Sequence, residues 1–367
     1  AGLGAASQYA KVSVVFDRLP EVYPDAGAAL GFVVSLVGLV GILFGAVAGI
    51  AVARLGYRRA VILGLWGGAA VSALQIALPP LPIFLALRAA EGVSHLMMVV
   101  AIPTLIAQLS APQHRGFTLT LWSTFFGVAF SLLVAFGLPL VDAHGIPALF
   151  AAHTLWFIVF ALGLMRVLPP DAPRDANAPK LTLRDVAAQH GTIYRSPFIA
   201  APAVGWLFYT LCFLALLTVL PPYIPDGARA ATLAAMPLVS IAVSMTVGVA
   251  ALRVFSAIQV VMLGFALSIV TFAWLLAVPG APAACIALAA ALGLIQGASF
   301  AAVPELNADD ADKAAANGAM AQMGNLGNTL GTPMMLLILT NLGYSGMIWV
   351  ASVIFAGAIV AHLLLAR

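Results

Sequence analysis

The sequence predicts an all-α integral membrane protein whose twelve transmembrane helices form two pseudo-symmetric six-helix bundles. Three observations carry that prediction. Of 367 residues, 63% are hydrophobic and 8% charged, against roughly 25% charged in soluble domains. The apolar residues gather into twelve stretches of about the length that crosses ~30 Å of hydrocarbon. A single long polar connection, 169–197, separates six stretches from six.

In chain order the stretches are 2–18, 29–53, 59–79, 82–108, 117–139, 146–168, 198–220, 230–251, 257–278, 281–303, 315–340 and 344–366. The first is the most polar, with Gln8, Tyr9 and Lys11. Most connections are short and rich in Pro or Gly, as in Pro79-Pro80-Leu81-Pro82 and Pro279-Gly280-Ala281-Pro282. The long connection holds Pro169, Pro170, Pro173 and Pro179 and several charges, so the expected organisation is bundle 1–168, linker 169–197 and bundle 198–367.

Positive residues stay on the cytoplasmic side of a bacterial inner membrane. With the first span running outward, Arg54, Arg58, Arg59, Arg115, Arg166, Arg174, Lys180, Arg184, Arg195, Arg253, Lys313 and Arg367 fall inside, and Arg18 and Arg229 outside. Both termini and the linker are therefore expected in the cytoplasm. The chain starts at Ala1 within an apolar stretch, which implies a trimmed natural N-terminus; no cleavable signal with a charged n-region is visible.

The halves echo one another. Glu91-Gly92 is followed by Ile102-Pro103 and then Arg115-Gly116; Gln296-Gly297 is followed by Val303-Pro304 and then Asn317-Gly318. Paired repeats with a midplane site between them are a recurring transporter plan.

Other classes are excluded. A net charge of +3 without a basic run interleaved with aromatics gives no nucleic-acid footprint. Cys212 and Cys285 lie in separate apolar stretches and form no metal or redox spacing. No Walker loop, His-Glu-x-x-His pair or soluble-domain Ser/His/Asp arrangement is present, so no enzyme activity, cofactor or metal is expected, and transport would draw on an ion or solute gradient.

Arg88-Ala89-Ala90-Glu91-Gly92-Val93-Ser94-His95 is the most unusual stretch. Offsets of three and seven residues put Arg88, Glu91 and His95 on one helical face. Ionisable groups inside a span are costly and mark function or a buried pair. Two readings stand: Arg88 pairs with Glu91 to hold helices together, or Arg88 attracts an anionic solute while Glu91 or His95 takes a proton. Lys11 is expected at similar depth, with Gln8 and Tyr9 beside it. Two cations against one carboxylate leave a surplus positive charge, which favours an anionic or zwitterionic solute.

The second half offers neutral groups: Trp206, Tyr209, Ser240, Ser244, Gln296, Gln322, Asn325, Asn328 and Thr329. Gln322, Asn325 and Thr329 share a face and serve either interhelical hydrogen bonds or substrate, since intramembrane amides need partners. Trp122 and Trp206 are candidate cavity walls. Gly41, Gly45 and Gly49 recur at the spacing that lets helix backbones approach.

Between the second and third spans stands Gly49-Ile50-Ala51-Val52-Ala53-Arg54-Leu55-Gly56-Tyr57-Arg58-Arg59. This resembles the signature loop of the major facilitator superfamily, whose common form has Asp where this chain has Ala53. Gly49, Arg54, Gly56, Arg58 and Arg59 match, and Arg88 with Gly92 agrees with the family's fourth span. The resemblance implies alternating access, with a small solute bound between the halves and the loop acting in gating. The family's carboxylate latches the cytoplasmic side, so here that latch is weakened or supplied elsewhere. Proton-coupled uptake by a monomer is the sharpest expectation, with Gln8, Tyr9, Lys11, Arg88, Trp122, Trp206, Tyr209, Gln296, Gln322 and Asn325 as solute-binding residues. The alternatives are export of amphipathic compounds or a non-transporting sensor or assembly factor.

Overall fold

The computed structural model describes residues 1–111, 114, 118, 121–122, 124–171, 188, 190–191 and 193–365. Of the expectations above, Arg115-Gly116, Arg174, Lys180, Arg184, Arg367 and most of the 169–197 linker lie outside the described residues.

Among the described residues, twelve main helices follow one another, as expected. They are α1 (Gly2–Ser13), α2 (Gly27–Leu30, Gly31–Ser35, Leu36–Gly38 and Leu39–Leu55 in succession), α3 (Tyr57–Gln75) and α4 (Leu81–Leu109). Next come α5 (Phe125–Leu132, Leu133–Gly137, Leu138–His144), α6 (Ile146–Val167), α7 (Pro197–Val219) and α8 (Asp226–Val243, Ser244–Gly248, Val249–Ala251). The last are α9 (Ala257–Ala277), α10 (Pro282–Leu306), and α11 and α12, which together run Asp310–Leu365. Gly343, at φ 69° and ψ −173°, divides that final run in two, a backbone shape that only glycine takes easily.

Among the described residues, nine helices are long and apolar enough to cross a membrane, Ala315–Leu365 counting once although Gly343 breaks it. The two left out are α1, only 12 residues long, and α3, which opens on Arg58 and Arg59. Large apolar side chains such as Phe136, Val353 and Trp349 face outward, as a lipid-facing surface requires.

Among the described residues, three of the main helices change pitch part-way. α2 tightens to a 3₁₀ turn at Leu36–Gly38, while α5 and α8 widen to π turns at Leu133–Gly137 and Ser244–Gly248. The echo between halves becomes physical here. Gly92 of α4 packs against the Val37 carbonyl in the 3₁₀ turn of α2, and Gly297 of α10 against Ser244 at the π turn of α8. In each half a side chain at the glycine would collide with the irregular turn.

A second echo lies at the helix starts. Asp171 accepts from the Arg58 and Arg59 backbone N–H groups at 2.8 and 3.0 Å, capping α3. Glu305 accepts from Ala257 N–H at 2.9 Å, capping α9. Free N–H groups and the dipole at a helix N-terminus make such a carboxylate favourable.

Candidate functional site: a buried ion cluster between α1, α3, α4 and α6

Arg88, Glu91 and Lys11 meet in the first half, and all three are fully buried. The three-residue spacing on α4 lets the Arg88 guanidinium reach the Glu91 carboxylate on its own helix. From α1, Lys11 Nζ donates to Glu91 Oε1 at 2.7 Å. From α3, Gln75 closes the arrangement: its Oε1 accepts from Lys11 at 2.9 Å, and its Nε2 donates to Glu91 Oε2 at 3.0 Å. Glu91 thus holds three side-chain donors.

Arg88 is also pinned to backbone. Its Nε donates to the Val33 carbonyl at 2.6 Å, and one terminal nitrogen donates to Val34 at 3.1 Å and to Gln8 at 2.6 Å. Val33 and Val34 lie just before the 3₁₀ turn of α2, where the regular ladder is interrupted; a fixed fork of donors suits such carbonyls. Arg88 therefore ties α4 to both α1 and α2.

Lys11 has further acceptors in Ser72 Oγ at 3.1 Å and His153 Nδ1 at 3.2 Å, and its ammonium stands 5.0 Å from the centre of the Phe150 ring. His153 Nε2 lies 3.0 Å from the Gly4 carbonyl, which makes it the donor nitrogen and leaves Nδ1 an acceptor. Two cations thus share one carboxylate, with neutral groups completing the shell. The surplus positive charge sits on Lys11, because Arg88 is matched by Glu91 and three carbonyls.

His95 shares the face of Arg88 and Glu91 but turns to α1. Its Nδ1 lies 3.0 Å from the Ala5 carbonyl and 3.2 Å from Gln8 Oε1, and its ring stands edge-on to Tyr9 at 5.1 Å. Gln8 passes the chain on through Nε2 to Ser94 Oγ at 2.9 Å. Ser72, Gln75 and His153 belong to the cluster yet were not singled out in the sequence. His153 carried a signal, being an ionisable residue in the middle of the 146–168 stretch.

Tyr9 leads to the second half, its hydroxyl 3.4 Å from Asn325 Oδ1 on α11. Gln322 donates to the Ile42 carbonyl of α2 at 2.8 Å and accepts from Tyr194 at 2.9 Å. Thr329 donates to Ser35 at 3.1 Å. The shared face of α11 therefore bridges to α2, where Gly38, Gly41 and Gly45 leave room for it. Gln296 takes a 3.5 Å contact from Ser240 inside the second half, apart from the ion cluster's own hydrogen bonds.

Trp206 stacks on Tyr209 at 4.7 Å and meets Phe300 edge-on. Tyr209 is buried and its hydroxyl has no partner among the described residues, as is true of Ser299 Oγ, Asn328 Oδ1 and Thr332 Oγ1. Buried polar atoms without partners are costly and are what a polar solute would satisfy. Trp122 stacks on Phe125 at 4.5 Å and lies against Gly2.

At the signature loop, Gly56 turns the chain at φ 96°. Arg58 holds the end of α6 through the Leu168 and Met165 carbonyls at 3.1 and 2.7 Å. Arg59 is exposed, Arg54 is half-buried, and a side chain at Gly49 would meet nothing within 4 Å. Asp171, following α6, brings a carboxylate to this loop. Arg18 pairs at the rim with Asp142 at 2.6 Å.

Twelve main helices among the described residues, with an ion cluster buried inside the first half, follow the plan of a secondary transporter. The family model described as Major Facilitator Superfamily matches residues 19–252, and the chain belongs to that superfamily, whose members are transporters and not enzymes. The fold is similar to the human organic anion transporter MFSD10 (TETRAN), at 17% identity and TM-score 0.70 over 98% of this chain and 97% of that one. It is similar to a D-xylose–proton symporter, at 17% identity and TM-score 0.76 over 99% and 94%. The inward-open xylose transporter XylE from E. coli gives 16% and 0.76 over 100% and 93%. No curated protein sequence matches the chain.

Proposed function

We propose that this transporter takes up a small anionic or zwitterionic organic solute together with a proton, across the bacterial inner membrane, by alternating access between bundles 1–168 and 198–367. Both termini and the 169–197 linker lie in the cytoplasm, following the distribution of Lys and Arg. The observation that carries the reading is the fully buried cluster of two cations and one carboxylate. Taking an ion out of water costs several kcal/mol even after relaxation, so an uncompensated charge at Lys11 favours an anionic partner.

The same cluster links solute to proton. Protonating Glu91 removes the one negative charge and leaves Lys11 and Arg88 facing each other. An anion bound beside Lys11 restores the balance, so proton and anion each strengthen the other's binding. His95, joined through Gln8 to α1, is the second proton-carrying group. Tyr9, Trp206, Tyr209, Gln296, Gln322 and Asn325 supply neutral contacts, and Trp122 an aromatic wall. The organic anion transporter and the proton symporter among the structural neighbours support the solute class and the coupling.

The test begins with thermal-shift screening of the purified protein against carboxylates, amino acids and neutral sugars at two pH values. Uptake of the stabilising solute into proteoliposomes follows. Lys11→Ala and Arg88→Ala are expected to abolish uptake; unchanged uptake in both variants removes the anion reading.

A further inference from the structure

A crevice of about 290 Å³ lies between α1, α5 and α6, lined by Leu133, Phe136, Leu149 and Trp156 and reaching Lys11 and His153. Its rim faces outward: Phe136 is 70% exposed and Trp156 39%. Its floor is the rear of the ion cluster, with Lys11 0% and His153 6% exposed. An apolar crevice that reaches the residue bearing the surplus charge has the polarity of a single-chain amphiphile turned head inward. The π turn of α5, Leu133–Gly137, forms one wall, and such turns are frequent at functional sites.

We propose that this crevice binds a long-chain carboxylate from the bilayer, its alkyl body along α5 and Trp156 and its carboxylate beside Lys11 and His153. Lys11 has three N–H donors and four acceptors, of which Ser72 Oγ and His153 Nδ1 are neutral and the most distant, at 3.1 and 3.2 Å. The carboxylate replaces one of these two. An ionised acceptor adds charge–charge attraction to the ammonium's hydrogen bond, and it supplies the negative charge that the cluster lacks. Ser7, whose hydroxyl donates to Leu3 at 2.8 Å, borders the same floor. The site is distinct from the solute path between the bundles and shares only Lys11 with it.

Trp156 reports on the site. Dibrominated stearate added to the full-length protein in nanodiscs is expected to quench the part of the tryptophan fluorescence that Trp156→Phe removes, and to do so saturably. Dibrominated phosphatidylcholine, with the same tails and a zwitterionic head, is expected to quench it only in proportion to its mole fraction. Ala152→Phe, which narrows the crevice, should abolish the saturable component. Lys11→Met, which removes the cation that the carboxylate meets, should shift its midpoint by about tenfold or more, the loss of one charge-assisted contact. Equal quenching by both probes means ordinary lipid tails fill the crevice, and the inference fails. Saturable quenching that neither substitution alters overturns it as well. The assay has no transport step, so its failure leaves the uptake reading standing, and loss of the uptake reading leaves this result unaffected.

Discussion

Glu91 decides the electrostatics of the first half, because it is the one anion that Lys11 and Arg88 share. Glu91→Gln keeps the shape and removes the charge, leaving two buried cations with neutral partners. Breaking one side of a buried pair costs about 3–5 kcal/mol; the expected result is a clear fall in the apparent midpoint of thermal unfolding in detergent. Lys11→Met added to Glu91→Gln removes one of the two stranded cations and should recover much of that fall. If the double variant is less stable than Glu91→Gln, the coupling between the two residues is not the one described. How far this cluster could be read from sequence follows from the same chemistry. Arg88 and Glu91 announce themselves as charges three residues apart in an apolar run. Lys11 is visible as a charge, but 80 residues separate it from Glu91, and only folding joins them. Ser72 and Gln75 are neutral and leave no mark on a hydropathy profile, although Gln75 holds both Lys11 and Glu91.

Among the elements, α2 carries the most consequence for its size. Its glycines were legible as a surface for close packing, but their spacing does not say which helix approaches. The structure shows α11, with Asn325 against Gly41 and Gln322 against Gly45. The pitch changes at Leu36–Gly38, Leu133–Gly137 and Ser244–Gly248 could not be read in advance, since small and apolar residues fit a tight, regular or wide turn alike. Gly41→Leu drives a side chain into Asn325 and should push α2 from α11. The expected readout is faster labelling of a cysteine placed at Thr329 by a membrane-permeant maleimide; unchanged labelling would show that the contact is not tight. The loop offers a second test. The sequence left its carboxylate unaccounted for at Ala53, and Asp171 meets the Arg58 and Arg59 N–H groups from beyond α6. Asp171→Ala is expected to lower stability by about 1 kcal/mol, the typical cost of losing a helix cap, seen as a small drop in melting midpoint. A larger drop would mean that Asp171 does more than cap α3.

Across the whole molecule, the halves are stitched at several depths. Ser13 of α1 and Thr218 of α7 bring hydroxyl oxygens to 2.6 Å. Ser131 of α5 donates to the Ala234 carbonyl of α8 at 2.8 Å, and Thr329 and Gln322 join α11 to α2. The alternating access proposed for this transporter requires some of these contacts to open in each cycle. The Ser13–Thr218 contact lies toward the chain end of α1 that leads to Arg18, which under the proposed orientation is the exterior side, so it should part whenever the site faces outward. The two side chains meet directly, as a pair of bridging cysteines must. Cysteines at both positions, in a background where Cys212 and Cys285 are replaced by serine, should therefore oxidise to an intramolecular bond. Both native thiols are free and buried, so their replacement by serine needs its own uptake control. The cross-linked protein is expected to lose solute uptake and to regain it on reduction, while its binding of solute from the opposite face persists in a thermal-shift assay. Either single cysteine should transport normally under the same oxidant. Full uptake by the oxidised double variant would mean that the two halves need not separate at α1 and α7, and that the motion passes through α2 and α11 instead.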